Sequence, residues 1–311
     1  MFNLCKQYLL KLLFITSIFS FNVFSTIAYA QTPPGSNIWV GQLVKEEESI
    51  VIKGLKKMTD SDDYTNQPYF LSEETLLFTQ AVNDKNISEN EQTDVFKLNL
   101  VTGEQTNLTK SSTSEYSPTP MPKQTGLSVI RVNEAGLQEL WQLDFNGKPI
   151  SNLLPAIEPV GYHVWLNEHE LMLFVLGEPH QLVKANIKKP SSKGTVLDTN
   201  PGPSLFNIPN TRLFSYTQQP NTDNAEVWQL KIQSFVNSST IALDSILLPD
   251  TAYYYAWSHE GDLLTSDNGA LVAMDLSEKP RLFTQVKGAC KTNVSRIAVS
   301  AAGKIALVCS V

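Results

Sequence analysis

Residues able to do chemistry are few in this 311-residue chain, and their spacing excludes more than it offers. His169-Glu170 opens an H-E-x-x-H pattern, in which two histidines one helical turn apart would hold zinc and the glutamate would act as base. Leu173 stands where the second histidine is needed. Zinc is therefore not supported, and His169, like His259, reads as a turn residue. No G-x-S-x-G stretch supplies a nucleophile elbow, and no glycine-rich loop is built to cradle phosphate. Asp60-Ser61-Asp62-Asp63 has the alternating carboxylates that begin a calcium loop. The later glycine and the distal glutamate are missing, so an acidic, solvated connection is the plainer reading.

Cys290 and Cys309 are the chemical pair left once the amino-terminal segment is set aside. That segment carries Lys6 and Lys11, an apolar run from Leu9 to Ile27, and Ala28-Tyr29-Ala30 before Gln31, the form of a secretory signal with a small-x-small cleavage site. A retained anchor is the rival, but Lys11, Ser17, Ser20, Asn22, Ser25 and Thr26 interrupt the run, which suits a spanning helix poorly. Cys5 precedes Lys6 rather than a cleavage point and does not resemble a lipid attachment site. Residues 1–30 are thus expected to be a signal peptide and 31–311 one exported domain, periplasmic in location. An oxidising compartment favours a Cys290–Cys309 disulfide, since Cys290 precedes the last inner strand and Cys309 ends the strand that returns to the same face. Two separate buried thiols are the alternative. Redox catalysis is disfavoured because no C-x-x-C occurs.

Removing residues 1–30 takes away two lysines and no acid, leaving 22 basic against 31 acidic side chains, net −9. A nucleic-acid partner is disfavoured by that balance. With 18% charged and 42% hydrophobic residues and no charge blocks, the chain can bury one sizeable core.

The elements that must position any site follow from a repeat. Phe70, Pro120, Trp165, Phe206, Trp257 and Val299 anchor six similar segments, separated by 50, 45, 41, 51 and 42 residues. Each anchor precedes a turn and an apolar strand, as in Ser72-Glu73-Glu74 before Leu76-Leu77-Phe78, or Asn167-Glu168-His169 before Leu171-Met172-Leu173-Phe174. A third strand follows, read at Val95–Leu98, Leu140–Leu143, Leu182–Ala185, Val227–Leu230 and Leu271–Met274. Thr102-Gly103 and Asn146-Gly147 then turn into a fourth. Only five such second halves follow six anchors. The missing one lies at the other end, in Ile38–Leu43 and Ile50–Ile52. The expected fold is therefore an all-β, six-bladed β-propeller closed by amino- and carboxy-terminal strands sharing one blade, which removes free sheet edges. A β-sandwich is the bland alternative, against which the period and the complementary ends argue.

These segments carry a family resemblance. Asn66-Gln67-Pro68-Tyr69-Phe70, Asn99-Leu100-Val101-Thr102-Gly103 with Leu108-Thr109, Trp141-Gln142-Leu143-Asp144 with Asn146-Gly147, and Ala256-Trp257-Ser258-His259-Glu260-Gly261 resemble the WD-like β-propeller repeat of the TolB type, over nearly all of residues 37–311. The Ser-Pro-Asp-Gly turn of that repeat is eroded in every blade, and the α/β domain preceding the TolB propeller has no counterpart here. The resemblance implies a Gram-negative periplasmic propeller, most often a binding module, without carrying over family-specific partners.

Six inner-strand stretches can then be aligned on their anchors: 66–71, 116–121, 161–166, 202–207, 253–258 and 295–300. None contains Asp or Glu, which argues against an axial metal held by carboxylates; no metal or other cofactor is expected. They begin instead with Tyr116, Tyr162, His163, Tyr253, Tyr254, Tyr255 and Arg296. Tyrosines combine apolar area with a hydroxyl and suit recognition. Equally, aromatic residues there can plug the channel or pack between blades. The preferred expectation is a binding site for an envelope protein, peptide or glycan at this mouth, with no catalytic residues. The alternative is a glycan lyase or hydrolase using His163, Arg296, Glu115 and the Asp60–Asp63 cluster. The longest loops on that face are Ala81–Thr93 and Thr217–Ala225, where function often resides.

Overall fold

The structure is a computed structural model, and it describes residues 35–47, 49–83, 92–219, 228–234, 246–249, 252, 254–276 and 282–311. The chain divides into Met1–Thr32 and Pro33–Val311, and every described residue falls in the second unit. Residues 1–30, read from the sequence as a signal peptide, most of both long loops, Val227 and Tyr253 lie outside the described residues.

Six four-stranded antiparallel sheets make six blades. The closing blade holds β1 (Ser36–Lys45) and β2 (Ile50–Lys57). Blade 1 runs through β3 (Thr65–Ser72), β4 (Thr75–Val82), β5 (Gln92–Asn99) and β6 (Gln105–Asn107). Blade 2 holds β7 (Glu115–Pro120), β8 (Leu127–Val132), β9 (Gln138–Leu143) and β10 (Pro149–Asn152). Blade 3 holds β11 (Val160–Trp165), β12 (Glu170–Val175), β13 (Gln181–Asn186) and β14 (Thr195–Thr199). Blade 4 holds β15 (Pro201–Asn207), β16 (Leu213–Gln218), β17 (Gln229–Ser234) and β18 (Ile246–Leu247). Blade 5 holds β19 (Tyr255–Trp257), β20 (Leu263–Asp267), β21 (Ala270–Met274) and β22 (Thr284–Gln285). β23 (Val294–Val299) and β24 (Lys304–Ser310) complete the closing blade. Each of the six anchors falls on an innermost strand, as the repeat requires.

Closure is a strand pairing. β1 runs antiparallel to β24 from Ser36 opposite Ser310 to Gln42 opposite Lys304, so that Trp39 faces Leu307. The sheet order β2-β1-β24-β23 joins the two ends of the domain in one blade. Charged contacts flank the joint. Lys45 bridges Asp262 at 2.9 Å and Asp275 at 2.6 Å on blade 5. On the other flank the Glu73 carboxylate of blade 1 accepts from Ser300 Oγ at 2.8 Å and from the Ala302 backbone N–H at 2.9 Å.

The core is partitioned by the period-2 alternation of strand side chains. In β4, Leu76 and Phe78 pack with Ile38, Ala306 and Val308 of the closing blade, while Leu77 between them packs with Leu127, Val129 and Leu143 of blade 2. The same division gives one apolar cluster at each of the six blade interfaces among the described residues. Every second strand is thus hydrophobic on both faces, which is why these segments read as continuous apolar runs.

Two interfaces carry a repeated polar joint. Ser128 Oγ on β8 accepts from Trp165 Nε1 at 2.9 Å and shares a hydrogen with His163 Nε2 at 2.7 Å, both on the next blade. Ser215 Oγ on β16 likewise meets Trp257 Nε1 and Tyr255 Oη, each at 2.8 Å, on the blade that follows. Residues two apart on a strand share a face, so an anchor tryptophan and the residue two before it reach one serine together.

Cys290 and Cys309 form the expected disulfide, with Cα atoms 6.6 Å apart. It ties the loop before β23 to the end of β24, inside the closing blade.

Candidate functional site

Aligning the blades on their anchors puts Gln67, Ser117, Tyr162, Pro203, Tyr254 and Arg296 at one equivalent position, three residues before each anchor. All six line a single cavity of about 710 Å³ that draws on every innermost strand and is therefore the central channel. Backbone irregularity helps to place them. Pairing between first and second strands shifts register at Asn66/Tyr69, Tyr116/Thr119, Val160/Tyr162, Pro201/Leu205 and Val294/Arg296, each interval containing or ending on the ring position. Bulges of this kind re-aim a side chain, and Gln67 and Ser117 have φ of 56° and 53°. At Gly202, one residue earlier in blade 4, an added Cβ would lie 2.0 Å from Thr217 Oγ1, so only glycine lets β15 lie this close to β16.

Arg296 is the charge at the centre of this ring. Its Nη2 donates to Tyr162 Oη at 3.2 Å. Its guanidinium lies 3.9 Å from the Tyr254 ring centroid and 5.2 Å from that of Tyr162, distances at which a cation is drawn to an aromatic face. Blade 3 and the closing blade are opposite one another, so the Arg296–Tyr162 contact spans the channel. Gln67 and Tyr254 lie beside Tyr162 and favour its ionised form, and the Gln67 Oε1 accepts the Ser117 backbone N–H at 2.7 Å. Among the described residues no carboxylate reaches Arg296 at ion-pair distance.

The electrostatics follow from that isolation. Burial alone would raise the Tyr162 phenol, but the Arg296 charge together with hydrogen bonds from Tyr254, Arg296 and Gln67 outweighs it, and the phenol is held below the ordinary tyrosine value. Tyr64, on the connection into β3, has its phenol raised by burial, partly offset by Arg296. Tyr64 and Tyr116 sit close enough for their charges to be felt by one another. Sequence reasoning missed Tyr64 because it lies just ahead of the aligned stretch. Its signal was an aromatic residue immediately before an innermost strand, as Tyr254 is before β19.

The sequence-derived residues therefore separate. Tyr162, Tyr254 and Arg296 are brought together, whereas Tyr116, one residue before the ring position of its blade, is half-buried against the apolar cluster between blades 2 and 3. His163 lines the channel wall but is spent on Ser128, and burial holds its imidazole down to about 4, so it is neutral near pH 7. Tyr253 lies outside the described residues. Glu115 is buried against Ser111 at 2.6 Å and Arg131 at 3.3 Å. Burial pushes its carboxyl up to about 7, against the opposing pull of Ser111 and Arg131. Asp60 pairs with Lys57 at the surface, and Ser61 is bonded to Asn37. The groups of the enzymatic alternative thus occupy three separate places. Among the described residues no three His, Cys, Asp or Glu side chains gather as metal ligands, and no helix is long and apolar enough to cross a membrane.

No family model and no curated protein matches the chain. Solved structures do. A putative TolB from Agrobacterium tumefaciens superposes with a TM-score of 0.60 at 11% identity, covering 89% of this chain and 99% of that one. A gluconolactonase from Xanthomonas campestris gives 0.54 at 10% identity, over 90% and 99%. A puromycin-hydrolysing peptidase from Mycobacterium tuberculosis gives 0.52 at 15% identity, over 78% of this chain and 43% of its own, so the chain spans less than half of that protein. Identities this low establish the propeller fold, TolB-like at that level, and the fold is shared with hydrolytic enzymes.

Proposed function

We propose that the protein is an exported, periplasmic binding module that recognises an envelope protein, peptide or glycan at the tyrosine-rich mouth of its channel, without covalent chemistry. The observation that carries this reading is the convergence of Tyr162 and Tyr254 on Arg296 at one level of a 710 Å³ channel. Cavities of this size and mixed lining are typical of ligand sites, and the rings present apolar area and hydroxyls at small entropic cost. The disulfide agrees with an oxidising compartment.

The test is crosslinking capture from a native envelope extract with residues 31–311. An envelope component retained by the parent protein and lost on combining Tyr116→Ala with Tyr254→Ala is the expected result. Capture that is absent, or unchanged by the two substitutions, overturns it.

A further inference from the structure

The ring places one permanent cation among Gln67, Ser117, Pro203 and tyrosines, with no acid at any of the six ring positions and no ion-pair partner among the described residues. Each channel-facing stretch lacks Asp and Glu. Glu73 lines the far part of the same cavity wall, but its carboxylate is taken by Ser300 and Ala302, and Glu115 is taken by Arg131. Of the five donors of a guanidinium, one is used on Tyr162, and Nε is buried without a partner. Tyr254 covers a face of the guanidinium rather than its donor edge. A buried charged donor left unpaired is unfavourable in isolation, and the guanidinium to which it belongs is part of a residue that lines the channel.

We infer that Arg296 is a receptor for a single carboxylate group carried by the channel's ligand, the fork of its guanidinium pairing with the two carboxylate oxygens. This rests on the binding-module reading above and specifies the ligand class. One positive charge in an otherwise neutral ring is balanced by a monoanion, whereas a dianion would leave excess negative charge in a poorly solvated place. Planar carboxylate matches the guanidinium edge in geometry. Further along the wall, Pro68, Pro118, Val164, Leu205 and Ala298 offer apolar surface, so the ligand combines the carboxylate with an apolar body. The protein's net charge of −7 supplies no long-range attraction for an anion. Recognition is local.

Calorimetric titration with sodium benzoate and with its neutral counterpart benzamide, at constant ionic strength, tests this on the intact domain. Saturable benzoate binding at least about tenfold tighter than benzamide, abolished in Arg296→Gln but kept in Glu73→Gln, is the expected result. Equal affinities, no benzoate binding at tens of millimolar, or benzoate binding that survives Arg296→Gln overturns it. Circular dichroism checks folding; if Arg296→Gln is unfolded, the benzoate–benzamide comparison on the parent protein decides, and Arg296→Lys is expected to weaken benzoate by removing the fork. Envelope capture that persists when benzoate does not bind removes the carboxylate site and leaves the binding-module reading standing.

Discussion

Arg296 and Tyr162, 134 residues apart in sequence and on opposite blades, meet across the channel through a 3.2 Å hydrogen bond. The contact exists only because the ring is closed, with β1 paired to β24 holding β23 in register with the other innermost strands. It couples the geometry of the whole domain to the charge at its centre.

One consequence is spectroscopic. With Arg296 lowering the Tyr162 phenol, alkaline titration of phenolate absorbance is expected to show one tyrosine ionising below the ordinary value of about 10. Arg296→Gln removes the charge that favours phenolate, and burial then raises the same group. An unchanged first ionisation step in that variant would contradict the assignment.

The serine joints make a stability prediction. Ser128→Ala leaves the Trp165 indole N–H buried without its acceptor, and Ser215→Ala does the same to Trp257 and Tyr255. Each is expected to cost about 1–3 kcal/mol. The sites belong to separate interfaces, so the double variant should show additive losses in urea denaturation. Losses below about 0.5 kcal/mol, the range of ordinary surface changes, would show that the joints are not stabilising.

Glu115 and His163 give stability a pH dependence of opposite sign. The folded-state value of Glu115, about 7, lies above that of an unfolded carboxylate. As pH rises from about 4.3 to 7 the unfolded chain gives up this proton and the folded one keeps it, so stability falls, by an amount on the order of 3 kcal/mol. His163 is held at about 4, below an unfolded histidine, so its contribution is lost as pH falls from about 6.5 towards 4. Glu115→Gln is therefore expected to be stabilised relative to the parent at pH 8 more than at pH 4.5. Parallel melting curves at the two pH values would refute the assignment of a buried, high-titrating Glu115.

The architecture was legible because it rests on local, repeated signals. Anchors such as Trp165 and Trp257, the Thr102-Gly103 and Asn146-Gly147 turns, and apolar runs such as Leu171–Phe174 all keep their place in each blade. Closure was legible as a missing half-repeat at one end and a spare one at the other. Site residues were legible only as a group. His163 and Tyr162 are neighbours in sequence, yet strand alternation turns one to a blade interface and the other to the channel, and which goes where depends on the bulge between Val160 and Tyr162. Gln67 and Ser117 gave no signal, since their place in the ring depends on local backbone irregularity rather than residue type. That Arg296 lacks an acid could not be read until the blades were closed.

Removal of the disulfide by Cys290→Ser with Cys309→Ser reopens a 19-residue separation in the closing blade. The expected loss is on the order of 3 kcal/mol from the freed chain entropy, read as a lower denaturation midpoint. Cys309 is fully buried against the blade 5 interface, so the single Cys290→Ser variant separates the bond from the packing of the second sulfur.

The central claim is that ligand enters at the tyrosine ring. A photoreactive phenylalanine analogue placed at position 116, beside that ring, and separately at position 101, an exposed turn between β5 and β6, measures it in intact cells. The account predicts an envelope adduct from position 116 and none from position 101. Adducts from position 101 alone, or from neither, would contradict it.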